Sequence, residues 1–573
     1  MALAAIAAAC EEDMDYGEYV LNTRDYVDQT FDGVTNLANN VYNYLDYDYG
    51  QMYGGGMLAS ATDEAVCAYQ SNTVQGFTNG SWSATNTLSS RWSNDYTGIQ
   101  CANYYIDNFG GMTFDELKLN SDYNVCMRRY LYSFQEVRAL RAYYYLDLVR
   151  NFGDVPYFTR TVDNSSVNSL TRTPALAVLD SIMAECDAVV DTVVEDYSAL
   201  PDEGWGDKYT LRVDRYFVLA LKARAALYAA SPLFNTTGDR ERWRKAAVAS
   251  KQLIDECAAK GRTLDAKYSN VASAFALESK EVIFSRLVYS SLTTAIKENY
   301  NYPVGINGAG QGINCPSQTL VDAYEMAATG LLPSEAGSGY DAANPYDGRD
   351  PRFYLTVACN GDIWPTAYQD TTGSASYQLQ TYIGGNSGQP VTGATPTGYY
   401  LKKGLDGTLD FRTGSTGVAS SKHSWTTFRL GEFYLNFAEA AYNYTGDPNA
   451  AVDGMTANQA VNAVRARAGM PDFPATLAGD DWMRKYKNER MVELAFEGHR
   501  FYDLRRWRGA SDGVDAARRM TSVDVMEITK NADGTFAYNR KTLTRTWNDR
   551  MYLFPIAQSE LVKNSNLVQN PGW

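Results

Sequence analysis

The chain has 573 residues, which is more than one hydrophobic core usually supports, so its length predicts several domains or one repeat architecture. Apolar residues make up 45% and charged residues 21%, a globular balance, and beyond residue 10 no run approaches the roughly 18 apolar residues of a membrane-spanning helix. The net charge of −16 argues against nucleic acid as a partner, and the only two histidines, His423 and His499, exclude a His-rich metal site.

The first ten residues, MALAAIAAAC, form a short apolar run that ends at Cys10. The run lacks a basic segment and is too short for a full secretory signal. Small residues before a cysteine nevertheless resemble a bacterial lipoprotein cleavage site, where the cysteine carries acyl chains that anchor the protein to a bilayer. A fortuitous Ala-rich start is the alternative. We therefore predict a signal remnant over residues 1–10, lipidation at Cys10, and an acidic tether over residues 11–30.

The apolar periodicity of the following residues predicts long amphipathic helices that occur in pairs, and therefore a mostly α fold. The first pair covers 127–150, which Gly153 ends, and a partner that begins at Thr173 and Pro174. The second covers 212–230 and a helix from Asp239 to Gly261, and the third covers 428–447 and 458–471. Such pairs resemble tetratricopeptide repeats, although their spacing is not fixed. We assign residues 31–290 to a helical scaffold with N-terminal ligand loops.

Residues 291–425 are rich in Gly, Ser, Thr, Asn and Tyr and show no helical period. The segments 352–358 (RFYLTVA) and 398–403 (GYYLKK) are the only plausible strands. A span this long without regular structure is typical of functional loops. We predict a loop-rich irregular lobe here, followed by C-terminal helices over 426–573.

Three glutamates, Glu489, Glu493 and Glu497, recur every four residues within 488–508 and are predicted to share one helix face. Paired carboxylates about 5–10 Å apart are the machinery of glycoside hydrolysis. A buried Glu/Arg lattice is the competing interpretation, which we favour because neighbouring guanidinium groups lower the pKa that a catalytic acid needs raised. The interleaved arginines are Arg490, Arg500, Arg505 and Arg506.

Several of these segments resemble the SusD/RagB family of outer-membrane, glycan-capturing lipoproteins. The run from Glu489 to Trp507 matches the signature E-R-x-x-E-L-x-F-E-G-x-R-x-x-D-L-R-R-W, and 552–573 matches the family's closing run. Further matching segments are 140–157 (LRAYYYLDLVRNFGDVPY), 314–326 (NCPSQTLVDAYEM), 350–353 (DPRF), 429–440 (RLGEFYLNFAEA) and 461–469 (VNAVRARAG). The resemblance covers nearly the whole chain and departs from the family only in the short signal.

The resemblance implies a SusD-like fold of about four tetratricopeptide-like helix pairs with an irregular lobe that carries the ligand surface. It also implies a non-catalytic protein that is displayed on the cell surface through its lipid anchor, here at Cys10, in the outer membrane. Its expected partners are an oligosaccharide or polysaccharide and a SusC-like TonB-dependent transporter, over which such proteins sit as a lid. No cofactor is implied.

Aromatic side chains in loops with polar neighbours are the candidate sugar contacts, because a ring covers the apolar face of a sugar while polar groups orient its hydroxyls. The chain has 43 tyrosines and 10 tryptophans to supply them. Three segments qualify: 44–64, 79–92, and the lobe. Trp82 is the first choice, because SusD-like proteins commonly place a ligand-contacting aromatic in this region. The other candidates are Asp63, Tyr302, Asp46, Cys315, Trp364 and Tyr400, each with core packing as the alternative.

Three functions compete. A non-catalytic glycan-binding lipoprotein is the prediction, a peptide-binding RagB-like importer subunit is the alternative, and a glycoside hydrolase built on the glutamate stripe or on Asp46 and Asp63 is the third. No C-x-x-C pair supports zinc or redox chemistry. The seven remaining cysteines are an odd number, so at least one is free, and we predict Cys186 and Cys257 to be small core residues.

Overall fold

Long helices, each packed against the next in the chain, form the body of the protein. A computed structural model describes residues 29–46, 48, 53–163, 165–197, 211–289, 296–305, 310–364, 378–409 and 422–573. Within them the α-helices are α1 (Phe31–Val41), α2 (Arg91–Phe109), α3 (Tyr123–Phe152), α4 (Ala175–Val189), α5 (Arg215–Ala230), α6 (Arg240–Ala259), α7 (Tyr268–Val271), α8 (Ile296–Asn301), α9 (Gln318–Ala323), α10 (Pro351–Thr356), α11 (Leu430–Thr445), α12 (Ala457–Ala468), α13 (Gly479–Glu493), α14 (Arg500–Arg506), α15 (Ala516–Arg519) and α16 (Gln558–Lys563). The strands are β1 (Ala65–Cys67), β2 (Val282–Tyr289), β3 (Asn314–Pro316), β4 (Val357–Ala358), β5 (Tyr400–Leu401), β6 (Lys422–Arg429), β7 (Ala451–Val452), β8 (Met455–Thr456), β9 (Ser522–Lys530) and β10 (Phe536–Thr544).

The predicted helix boundaries hold where a cap specifies them. The Asp239 side chain accepts a hydrogen bond from Glu241 N and starts α6, and Gly153, with a φ of 72°, ends α3. The predicted start of α4, with Thr173 as the cap and Pro174 as the first helical residue, is one residue too early. Helix α4 begins at Ala175, because the Asp154 carboxylate of the preceding turn accepts from the Ala175 N–H at 2.7 Å and supplies the cap.

Helix stacking follows chain order, which confirms the mostly helical, tetratricopeptide-like prediction. Helix α3 packs between α2 and α4, α5 packs between α4 and α6, and α11 joins the stack between α6 and α12. Helix α5 is buried around most of its circumference, as its run of small and apolar residues requires. Cys186 and Cys257 lie buried in this core, and all seven described cysteines are free thiols. None of the described helices has the length and apolar character to cross a membrane.

The lobe contains short two-stranded sheets, and its predicted strands need correction. Most of 352–358 forms helix α10, because the Asp350 side chain caps Arg352 N and Pro351 occupies the first helical position. Only Val357–Ala358 is extended, and it pairs with Tyr400–Leu401 from the second predicted strand. The sequence prediction missed β3, which pairs with β1, and β6, which pairs with β2.

The C-terminal region also contains a β-hairpin where only helices were predicted. Strands β9 and β10 pair in an unbroken antiparallel register from Ser522–Thr544 to Lys530–Phe536. Gly534, with a φ of 89°, lies in the connecting turn, a conformation that glycine adopts without steric cost. Helix α9 packs against β9, so the hairpin lies beside the lobe.

Candidate functional site

The side-chain amide of Asn314 joins the N-terminal Gly-rich loop to the lobe. Its Oδ1 accepts from Met57 N and Ser60 Oγ, and its Nδ2 donates to Gly55 O and Asn301 Oδ1, all at 2.8 Å. Because Asn314 is only 1% exposed, these bonds are shielded from water and hold both segments rigidly. We call this contact the Asn314 joint. It brings the first and third predicted ligand segments together.

Two partly exposed tyrosines, Tyr69 and Tyr300, border the Asn314 joint. The backbone of Ile313 links them, because it accepts from Ala68 N at 2.8 Å and donates to Tyr300 O at 2.8 Å. A Cβ added at Gly55 would lie 2.9 Å from Tyr300 Cδ1, so only glycine lets the loop pass this ring. Burial raises the pKa of Tyr69 further above neutral pH. These rings are the candidate aromatic surface.

Four predicted ligand residues of the lobe lie in its core instead of on its surface: Tyr302, Trp364, Tyr400 and Cys315. The Tyr302 hydroxyl donates to Asp406 O, and its ring meets Trp364 edge-on with centroids 4.9 Å apart. The Tyr400 hydroxyl donates to Ser387 O at 2.7 Å. Each is at most 1% exposed, so the prediction that they contact a ligand is corrected. The three aromatic rings and the Cys315 side chain instead belong to a hydrophobic core of the irregular lobe.

Trp82, the first-choice ligand residue, is also a core residue. It is 0% exposed, and its indole packs edge-on against Phe77, Phe554 and Trp573 with centroids 4.7–5.0 Å apart. The indole N–H donates to Thr87 O at 3.2 Å. The prediction treated the Gly/Ser-rich turn as exposed, but the C-terminal end of the chain covers it. Trp82 therefore has no free face for a sugar ring.

Asp63 and Asp46 are engaged in ion pairs. Asp63 forms a bidentate pair with Arg500, at 2.7 and 2.8 Å. Burial alone would raise the pKa of Asp63, but Arg500 outweighs it and holds the pKa below its usual range. Asp46 pairs with Arg150 at 2.9 Å and borders a cavity of about 40 Å³, far smaller than a sugar site. Neither carboxylate is arranged as the glycan contact or glycosidase acid that the sequence allowed.

The glutamate stripe forms a buried lattice, as the structural interpretation predicts, but its partners come from other elements. Glu489 pairs with Arg352 and Arg465, at 2.5 and 2.7 Å. Glu493 is 0% exposed and pairs with Arg352, Arg429 and Arg467. Glu497 lies beyond the end of α13 and pairs with Arg429 and Lys403. Burial opposes ionisation, yet the guanidinium groups lower the pKa of all three carboxyls.

The arginines adjacent in sequence have partners elsewhere. Arg490 and Arg506 both pair with Asp503 at 2.7 Å, and Arg506 also forms a bidentate pair with Glu439. The Arg505 guanidinium donates to the backbone carbonyl of Met551. The family signature is therefore a scaffold that fixes helices α10 to α14 in relation to one another.

A larger cavity, of about 660 Å³, lies between α9, α13, α15 and β9. We call it the charged cavity, because acidic and basic side chains alternate around it and none of its lining residues carries an aromatic ring. Asp63 and Arg500 lie on its wall. In volume it falls within the usual range of small-molecule sites.

Sequence reasoning did not single out Tyr69 or the charged cavity. Tyr69 follows a three-residue strand that is too short to show a period, and it reaches the lobe through pairing of β1 with β3, which are far apart in the chain. The cavity residues come from six stretches that are scattered between Asp63 and Asp524, so no local pattern marks them. Cys10 and residues 11–28 lie outside the described part of the chain. Among the described residues no group of His, Cys, Asp or Glu is arranged to hold a metal ion.

Known proteins share both the sequence and the fold. A model of the SusD family matches residues 280–573. "SusD-like protein P2" of Formosa agariphila is 26% identical over 513 residues, covering 85% of this chain and 81% of its own. A SusD-like protein of Bacteroides fragilis superposes with a TM-score of 0.75 at 23% identity, over 96% of this chain and 99% of its own. A laminarin-binding SusD-like protein superposes with a TM-score of 0.63 at 21% identity, over 95% of this chain and 99% of its own. Surface glycan-binding protein A of Bacteroides uniformis superposes with a TM-score of 0.62 at 19% identity, over 94% of this chain and 99% of its own.

Proposed function

Since this chain belongs to the SusD family, we propose that it is a non-catalytic protein of the cell surface that binds oligosaccharides. Two proteins of the same fold carry names that describe binding of laminarin and of glycan, which supports a carbohydrate as the ligand class. We further propose that it delivers the bound sugar to a SusC-like TonB-dependent transporter and that a lipid on Cys10 anchors it in the outer membrane.

The observation that carries the proposal is the pair of partly exposed tyrosines at the Asn314 joint. Both rings are packed against the hydrophobic core but stay partly exposed, and an exposed aromatic surface can cover the apolar face of a sugar. The Tyr69 hydroxyl, which like that of any tyrosine carries its proton at neutral pH, can bind a sugar hydroxyl. Since the joint fixes the loop backbone, the two rings are held in place before a ligand arrives, which reduces the entropic cost of binding.

The glycoside hydrolase alternative is weakened by the charge lattice. A general acid requires a carboxyl whose pKa is raised towards neutral, whereas the guanidinium neighbours lower the pKa of Glu489, Glu493 and Glu497. All three carboxylates also hold several hydrogen bonds that a substrate would have to replace. No described feature favours the peptide-binding alternative.

A glycan array followed by calorimetry tests the proposal. We expect Tyr69→Ala and Tyr300→Ala each to lower the affinity for the best array ligand about 10- to 70-fold. Each ring supplies roughly 50–100 Å² of apolar contact, which contributes about 1–2.5 kcal/mol to binding. Tyr104→Ala is the matched control, since Tyr104 is a 40% exposed tyrosine on α2. An array without hits, release of reducing ends from a bound polysaccharide, or selective binding of peptides would each refute the proposal.

A further inference from the structure

The charged cavity differs in chemistry from the tyrosine surface. It offers no ring for stacking, but it presents hydroxyl and amide groups from Thr319, Ser522 and Asn488. Thr319 Oγ1 accepts from Asp524 N at 3.1 Å, and Asn488 Nδ2 donates to Ala323 O at 2.7 Å. The Thr319 hydroxyl proton and the Asn488 Oδ1 therefore remain available for a ligand's hydroxyl groups.

Most charges around the cavity are neutralised by partners within the protein. Lys485 pairs with Glu325 at 2.5 Å, and Lys487 pairs with Asp512 at 2.9 Å. Asp322 and Asp524 both pair with Arg540, at 2.6 and 2.9 Å. Arg484 pairs with Asp481, and Arg500 pairs with Asp63. The remaining acidic residue of the lining, Glu335, accepts a hydrogen bond from Leu332 N, so the lining carries six acidic and six basic side chains.

Two cations at the cavity are exceptions. Arg518 and Arg519, at the end of α15, line it, and within the described residues neither guanidinium has a hydrogen-bond or ion-pair partner. Arg519 contributes to lowering the pKa of Asp63, but Arg500, which is paired with that carboxylate, contributes more. The Nη1 of Arg500, which is 4% exposed, is also buried without a hydrogen-bond partner. The cavity therefore presents guanidinium N–H groups that no described acceptor occupies and that an anionic group could bind.

We propose that the charged cavity is a second saccharide-binding site, for a sugar that carries a carboxylate or a sulfate group. The inference rests on the proposed function, because it takes the ligand to be a saccharide. Arg518 and Arg519 bind the anionic group, since a guanidinium presents paired N–H donors that match the oxygens of either group. Thr319, Ser522 and Asn488 bind the hydroxyl groups of the same or the adjoining ring.

The test is calorimetry with four probes: tetragalacturonate for the carboxylate, a carrageenan tetrasaccharide for the sulfate, cellotetraose as the neutral sugar, and sodium sulfate as the free anion. The variant is Arg518→Gln with Arg519→Gln. The matched control is Arg244→Gln with Lys245→Gln, which removes two adjacent cations from the surface of α6 and changes the net charge equally. Melting temperatures should stay unchanged in both, because these four side chains make at most a surface ion pair.

We expect at least one acidic tetrasaccharide to bind, and the Arg518/Arg519 variant to bind it about tenfold or more weakly, a loss of about 1.4 kcal/mol. The affinity should also fall with added salt, because the Debye length shrinks from about 10 Å at 0.1 M to about 3 Å at 1 M. The control variant should bind as the unmodified protein does.

Three results would overturn the proposal: no binding of either acidic probe, equal binding by the Arg518/Arg519 variant, or equally tight binding of sodium sulfate. The last would make the cavity a site for a free anion. Each is separate from a failure of the proposed function, which is decided by the glycan array and by the Tyr69 and Tyr300 variants. An array ligand that depends on the tyrosines, with no acidic saccharide bound at the cavity, would refute only this inference.

Discussion

Replacement of Glu493 by Ala tests whether the family signature is a scaffold. The side chain is fully buried and bonded to Arg352 and Arg429 at 2.9 and 2.7 Å, and to Arg467. Its loss leaves three buried guanidinium groups short of an acceptor. Breaking a buried ion pair by removing one partner costs about 3–5 kcal/mol. We therefore expect lower stability, and unchanged glycan affinity because none of the hydrogen bonds of Glu493 involves Tyr69 or Tyr300.

The shift in melting temperature can be estimated from the chain length. At about 2.1 cal/mol/K per residue, cooperative unfolding of 573 residues has an entropy of about 1.2 kcal/mol/K. A loss of about 3–5 kcal/mol in the free energy of unfolding therefore lowers Tm by about 2.5–4 °C. Unfolding in smaller units would give a larger shift. Differential scanning calorimetry measures it, and Glu241→Ala is the control, because Glu241 makes only a half-exposed surface pair with Arg244.

The pH dependence gives a second measurement on the same variant. The arginines hold the folded-state pKa of Glu493 below its usual value, so its stabilisation is fully present above the unfolded-state pKa of about 4.3. The stabilisation declines as the pH falls from there towards the folded-state pKa. The Tm difference between the unmodified protein and Glu493→Ala should therefore shrink below about pH 4. An unchanged Tm at neutral pH together with lost glycan binding would refute the scaffold interpretation.

Two further predictions concern residues singled out by the sequence. Trp82→Ala should destabilise the protein by about 3–5 kcal/mol, because it empties a buried aromatic site, and should leave glycan affinity intact in the folded fraction; calorimetric unfolding and glycan titration measure both. If the variant had normal stability but no longer bound glycan, Trp82 would be a ligand-binding residue and not a core residue. Cys10→Ala, in a chain exported by a working signal, should move the protein from the membrane fraction to the soluble one, because the proposed anchor consists of acyl chains on Cys10. Retention in the membrane fraction would contradict the anchor.

The helical part of the fold could be predicted because its signals are local. Gly153 and Asp239 mark helix ends through their own backbone and side-chain geometry, so a single sequence suffices to place them. The signature helix was also correctly interpreted as structural from its mixture of charges. Its partners could not be named, because Arg352 and Arg429 approach Glu493 from segments more than 60 residues away in the chain.

The candidate site was harder to predict because burial in a loop depends on distant segments. Trp82 lies in a polar turn, and only packing of Phe554 and Trp573 from the chain's end reveals that it is buried. Tyr302 and Tyr400 similarly became core residues of a lobe that the composition describes as irregular. Tyr69 stays partly exposed with no local feature to distinguish it from the many buried tyrosines.

The charge lattice also determines how the protein can be recombined. Arg352 and Lys403 belong to the lobe, yet they neutralise Glu489, Glu493 and Glu497 of the C-terminal region. A chimera that takes residues 291–425 from a relative would leave these carboxylates with only Arg429, Arg465 and Arg467, unless the donor supplies cations at both positions. If the proposed tyrosine surface binds the ligand, exchange of the loops around the Asn314 joint is the way to change specificity that leaves this lattice intact, whereas transplanting the whole lobe requires its basic residues to move with their acidic partners.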